Sequence, residues 1–134
     1  MYKTHATRIR VRSYEVDVEG HVNNAVFVHY LEHGRTRAME DFGIPFQAWL
    51  DRGLYIVVTR LDMRIHTPAF MGDELEIRVT PTELQRVKGT FHQEIVNLSR
   101  ANKAVTATVY GAIVDRQGKP VRIPEEFRKA FIAE

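Results

Sequence analysis

The stretch Asp17-Val-Glu-Gly-His-Val-Asn-Asn24 gathers a carboxylate, an imidazole and two side-chain amides into one short connection. Asp17-Val-Glu-Gly20 reads as a tight turn, with Asp at the first and Gly at the fourth position as a type I turn prefers. Beyond it, Phe27, Tyr30, Leu31, Gly34, Ala38 and Phe42 recur at steps of three and four. That is the apolar stripe of a long amphipathic helix from Asn24 to Phe42, with Asn23 or Asn24 as its natural N-cap. A helix N-terminus presents free N–H groups and about half a positive charge, so it can hold an oxyanion. Ala25, Val26 and Phe27 supply no acid to neutralise that end. A turn brings Asp17 back toward the same helix end, where a carboxylate can activate water or itself attack an acyl carbon. Turn patterning alone also supports a plainer reading, in which Asp17 is a turn residue and Asn23 or Asn24 only a cap.

The elements that must position this loop follow from periodicity. From Thr7 to Val16, arginines at 8, 10 and 12 alternate with Ile9 and Val11, which predicts a half-buried first strand. Gly43 and Pro45 stop the long helix, and a short helical piece fits Pro45 to Leu50. Tyr55 to His66 predicts a strand with Val57, Thr59, Leu61, Met63 and Ile65 on one face, turned around by Pro68 to Gly72. Glu74 to Thr82 predicts another, with Leu75, Ile77 and Val79 inward. Thr90 to Leu98 and Ala104 to Val114 follow, the last with apolar or small residues on both faces, as a central strand has. Pro124 to Ile132 predicts a closing helix. Strand, long helix and four consecutive strands make an α+β fold, a five-stranded antiparallel sheet wrapped on one long helix. A single helix covers one sheet face only, so open edges and helix ends ask for a homodimer at least.

Composition narrows the chemistry. A chain of 134 residues fits one domain, residues 1–134, and is too short for two cores. With no Cys, disulfides, thiolate metal sites and a Cys nucleophile are excluded, and a reducing cytoplasm is the expected compartment. Lys+Arg 19 against Asp+Glu 17 gives a net charge of only +2, which does not imply nucleic acid. No apolar run approaches a membrane span, and Met1-Tyr-Lys-Thr-His lacks the apolar stretch of a secretory signal.

Tyr14-Glu-Val-Asp17, Gly20-His-Val-Asn-Asn-Ala25, Tyr30-Leu-Glu32 with Arg35, and the later Pro68-Ala-Phe-Met-Gly-Asp73 resemble the hot-dog-fold acyl-CoA thioesterases of the 4-hydroxybenzoyl-CoA thioesterase type. The resemblance implies hydrolysis of an acyl-CoA thioester to free acid and CoA. It implies Asp17 as the catalytic general base or nucleophile and the helix end near Asn24 as oxyanion site. His21, Asn23, Asn24 and Ala25 become substrate-side residues of the loop and first helical turn. The acyl chain would run beside the helix past Val57, Val58 and Thr59. Glu32 and Arg35 resemble a structural or interfacial pair. No cofactor is implied, since CoA is part of the substrate, and the expected assembly is a homodimer that pairs further into a tetramer. Arg86, Lys88, Arg100 and Lys103, in two hairpins, are candidates for the CoA phosphates. Two alternatives stand beside hydrolysis: a hot-dog hydratase or dehydratase, and a non-catalytic acyl-thioester binding module.

Two other constellations compete. His29-Tyr-Leu-Glu32-His33 is an H-x-x-E-H string, but no acidic third ligand follows on a second suitable helix, and the expectation is no metal. Arg8, Arg10 and Arg12 with Arg60 and Arg64 form a basic face, diluted by Asp62, Glu74 and Glu76 and lacking aromatic stacking groups, so neither RNA nor DNA is expected.

Overall fold

A computed structural model describes residues 1–133. Strand β1 spans His5–Arg10, helix α1 Asn24–Asp41, helix α2 Phe46–Asp51, and strands β2 to β5 Tyr55–Ile65, Glu74–Leu84, Lys88–Asn97 and Asn102–Val114; helix α3 is Glu125–Ala130. The strands form one five-stranded sheet in the order β1-β3-β4-β5-β2, every neighbouring pair antiparallel. This is the hot-dog arrangement, with α1 as the filling.

Helix α1 buries Phe27, Tyr30, Leu31, Gly34, Ala38 and Met39 against the sheet. Gly34 is the point of closest approach: a Cβ there would lie 2.5 Å from Ile77 Cγ2. On β3, Leu75, Ile77 and Val79 all face this helix and are fully or almost fully buried, as alternation predicts. β5 lies between β4 and β2, which accounts for small or apolar residues on both of its faces.

Three expectations need correction. The first strand ends at Arg10 rather than Val16, because the backbone of Val11 turns to bond Asp73 and a single 3-10 turn follows at Ser13–Glu15. Val57 and Thr59 do not share a face with Leu61 and Met63. A bulge between Val58 and Arg60 flips the parity of β2, so Ile56 and Val58 face the helix side before it and Leu61 and Met63 after it. The closing helix is also shorter than Pro124 to Ile132, with Pro124 at its N-cap.

Sheet order brings the functional loops together. β2 and β3 are consecutive in sequence but do not pair, so the segment after Ile65 crosses the sheet end beneath the N-terminus of α1. There it meets the Asp17 loop: Val22 N donates to Ala69 O at 2.8 Å, and His21 pairs with Phe70 in an isolated bridge. On the outer sheet face, Arg8, Arg10 and Arg60 are ion-paired with Glu76, Glu74 and Asp62, while Arg12 pairs with Glu15. Among the described residues, no helix is long and apolar enough to cross a membrane.

Candidate active site

An open cleft of about 360 Å³ lies at the N-terminus of α1, lined by Asp17, His21, Val22, Asn24 and Phe27 on one side and Ile65 to Pro68 on the other. The loop that delivers Asp17 is a hydrogen-bonded unit. Asp17 N donates to His21 O at 2.8 Å and Gly20 N to Asp17 O at 3.0 Å, with Gly20 at φ +82°, where a side chain would be strained. The Asp17 carboxylate is held through one oxygen only. Oδ1 accepts from Glu19 N at 2.9 Å and His21 N at 3.1 Å. Among the described residues Oδ2 takes no hydrogen bond, which leaves a fixed, solvent-facing carboxylate oxygen.

The helix end is partly used by its own cap. Asn23 is the N-cap, its Oδ1 accepting from Ala25 N at 2.9 Å, and its carbonyl accepts from Val26 N and Phe27 N. Asn24 N is then the first-turn donor left without a partner among the described residues, and Asn24 lines the same cleft as Asp17. No acidic side chain sits in that turn. A carboxylate oxygen and an unoccupied helix-end donor on one cleft can serve attack on an acyl carbon whose oxygen becomes negative.

The other expected site residues distribute unevenly. His21 is held against Phe70, ring edge to ring face at 5.0 Å, so its backbone contributes to orienting Asp17 while its ring borders the cleft. Asn23 is exposed and spends its side chain on the cap, and Ala25 is exposed outside the cleft. Val57, Val58 and Thr59 lie along β2 at least six residues from Ile65, about 20 Å at the rise of a strand, and do not meet Asp17 within one chain. Val58 instead borders a second cavity of about 100 Å³ with Glu32, Arg35, Thr36, Ile56 and Phe91. Arg35, largely desolvated there, donates to Gln93 at 2.9 Å, and burial holds its guanidinium below the usual arginine range against the opposing influence of Glu32. Arg86 and Lys88 sit at the β3–β4 turn, the opposite end of β3 from Asp73 and the cleft. Lys103 is ion-paired with Glu94, and Arg100 with Asp73. His29 and His33 are exposed, and among the described residues no group of three or more His, Asp or Glu is arranged to hold a metal.

Two buried carboxylates flank the loop, and periodicity gave no sign of their roles. Glu15, just before it, accepts from Tyr30 Oη at 2.8 Å, Arg12 N at 2.8 Å and Arg12 Nη1 at 3.0 Å. Burial pushes its carboxyl up, but those donors outweigh burial and hold it below the usual carboxylate range; burial, and then the bond to Glu15, push the Tyr30 phenol far up. Asp73, immediately before β3, accepts through one oxygen from Asn97 at 2.8 Å, Arg100 at 2.8 Å and Phe70 N at 3.0 Å. Its desolvation is likewise outweighed by these bonds, with a lowered pKa as the result. The only sequence signal for either was an acid embedded in a segment that resembles the family, Tyr14-Glu-Val-Asp17 or Pro68 to Asp73.

Known proteins carry the same architecture. The family model described as the thioesterase-like superfamily matches residues 11–131. The chain is 29% identical over 132 residues to the chloroplastic acyl-acyl carrier protein thioesterase ATL3 of Arabidopsis thaliana, covering 98% of this chain and 70% of that protein. It is 34% identical over 89 residues to the long-chain acyl-CoA thioesterase FadM of Escherichia coli, covering 66% of this chain and 67% of that one. The crystal structure of Slr0204, a 1,4-dihydroxy-2-naphthoyl-CoA thioesterase from Synechocystis, superposes with a TM-score of 0.89 over 96% of this chain and 95% of its own. At 17% identity, that last likeness is one of fold.

Proposed function

The chain belongs to the thioesterase-like superfamily and is an acyl-CoA or acyl-carrier-protein thioesterase, and from that premise we propose that Asp17 performs the hydrolytic step on an acyl-CoA at the α1 N-terminus. The observation that carries this reading is that one cleft is lined both by Asp17, whose Oδ2 is free, and by Asn24, whose N–H has no partner among the described residues. Asp17 Oδ2 takes a proton from water as the water oxygen attacks the thioester carbon. The carbonyl oxygen becomes negative against Asn24 N, a donor worth about 2.7–4 kcal/mol in such a position. Collapse expels the thiolate, which takes up the proton, and the products are free acid and CoA. If Asp17 attacks the carbon directly, a mixed anhydride forms and water opens it in a second step. In oxygen-18 water, label found in Asp17 after a single turnover identifies the anhydride route, and label confined to the product acid with no acyl-enzyme in the quenched reaction identifies the general-base route.

A homodimer that pairs into a tetramer is part of this reading. It is supported by two sheet edges, β1 and β2, that take no strand partner among the described residues, and by a cleft that is open to solvent. Sedimentation of the purified protein tests it.

Asp17→Asn keeps the shape and the hydrogen bonds of Oδ1 while removing the base. Turnover of acyl-CoA should fall by about 10²–10⁴-fold with the melting temperature unchanged. Wild-type turnover in that variant would sink the assignment. A screen of benzoyl, short-chain and long-chain acyl-CoA for thiol release defines the acyl group. Hydration of crotonyl-CoA without thiol release would indicate a hydratase instead, and tight binding without released CoA a binding module.

A further inference from the structure

We propose that Asp73 is a positioning residue for the reaction, acting on Asp17 through Phe70 and His21. This rests on the reading of Asp17 as the hydrolytic group. Asp73 is buried, does not border the cleft, and gives one carboxylate oxygen to three donors at once: Asn97 Nδ2, Arg100 Nε and Phe70 N. Its backbone closes the same turn, Asp73 N donating to Phe70 O at 3.0 Å and Asp73 O accepting from Val11 N at 3.0 Å. Phe70 is therefore fixed from its main chain, and Arg100 stacks over its ring at 4.1 Å. Phe70 in turn fixes His21, by the isolated bridge and by the edge-to-face ring contact. His21 completes the path, since its N–H holds Asp17 Oδ1 and its carbonyl accepts from Asp17 N.

The chemistry explains why a charged group serves here. A neutral acceptor could satisfy one or two of the three donors, but an ionised carboxylate makes all three bonds shorter and stronger and neutralises Arg100. Since near-attack geometry is sensitive to displacements of about 1 Å, a clamp two residues' contacts away can govern rate without touching substrate. The same geometry gives Arg100 a place in this clamp rather than at the CoA phosphates.

Asp73→Asn should remain folded, with kcat lowered by about 10–100-fold and KM little changed. Arg100→Met, a milder change at the exposed end of the clamp, should lower kcat in the same direction, again without raising KM. The deciding measurement is a double-mutant cycle. If Asp73 acts through Asp17, then Asp17→Asn with Asp73→Asn loses no more than Asp17→Asn alone. Full additivity of the two losses, or wild-type kcat in folded Asp73→Asn, overturns the proposal, as does an Arg100→Met whose KM rises while kcat holds. Asp17→Asn measured by itself tests the underlying reading, so the two failures are distinct.

Discussion

The two ends of α1 are held by different physics. At its N-terminal end, directional polar contacts penetrate the apolar packing: Glu15 with Tyr30 and Arg12, and Asp73 with Asn97 and Arg100. At its C-terminal end the chain is fastened mainly by aromatic packing. Phe131 meets Phe42 at 5.3 Å, Phe91 at 5.5 Å and Phe127 at 5.3 Å, and Trp49 meets Phe127 at 6.0 Å. Apolar packing is worth more per residue but tolerates small shifts, whereas hydrogen bonds lose strength within tenths of an ångström and fix direction. The difference separates a region that supplies stability from one that supplies geometry.

The largest effect is expected on removing a large aromatic from the C-terminal end of α1. Trp49 is 2% exposed, packs on Phe127 and donates to Ile44 O at 3.2 Å. Trp49→Ala should cost about 3–5 kcal/mol in a urea titration. Turnover measured well below its melting transition should be unchanged, because no part of the cleft rests on α2. A parallel loss of kcat in the folded variant would show that the two ends are not separable.

A smaller effect is expected where the two regions share a support. Gly34 sits midway along α1, and an added Cβ would collide with Ile77 in the fully buried face of β3. Gly34→Ala should destabilise by about 1–3 kcal/mol, since the helix must lift from the sheet. Here kcat should fall as well, because Asn24 and the Asp17 loop move with the helix while the sheet-borne Asp73 clamp does not. Stability loss with unaltered kcat would mean the loop is anchored to the sheet alone.

Much of this was legible in the sequence, for reasons that also mark the limits. α1 and β3 carry regular apolar periods over many residues, and burial enforces those periods, so their inward faces were read correctly as Phe27, Tyr30, Leu31 and Leu75, Ile77, Val79. The turn from Asp17 to Gly20 and a cap at Asn23 or Asn24 were legible from local turn and cap chemistry, whereas a catalytic role for Asp17 was suggested only by the family resemblance. The bulge at Thr59 was not, because period-2 alternation contains no mark for an extra residue, and every assignment upstream of it changed face. Glu15 and Asp73 were illegible as anchors for a different reason. A buried carboxylate is set by partners far away in sequence, such as Tyr30 and Asn97, and local patterning counts any acid as surface.

The last effect is read by pH and concerns the buried ionised anchors near the N-terminal end of α1. The Glu15 carboxyl lies below its ordinary 4.5 and Asp73 below its ordinary 3.8, because hydrogen bonds to the ionised forms overcome burial. Depressed folded values mean that the unfolded chain binds protons first as pH falls. The stability these groups contribute is therefore complete above the ordinary values and is lost progressively as pH drops through them toward the folded values. Glu76 and Glu94, held down by Arg78 and Lys103, add to the same slope from the outer sheet face, and Asp41, held down by His5, adds to it from the C-terminal end of α1. Melting temperature should thus decline below about pH 4.5, and Tyr30→Phe, which strips one donor from Glu15, should flatten that decline by a fraction while costing about 1–3 kcal/mol at neutral pH. Trp49→Ala should lower the whole curve without changing its acid slope. A slope equally altered by both substitutions would put the ionised anchors and the aromatic cluster in one cooperative unit, and the division between geometry and stability would have to be redrawn.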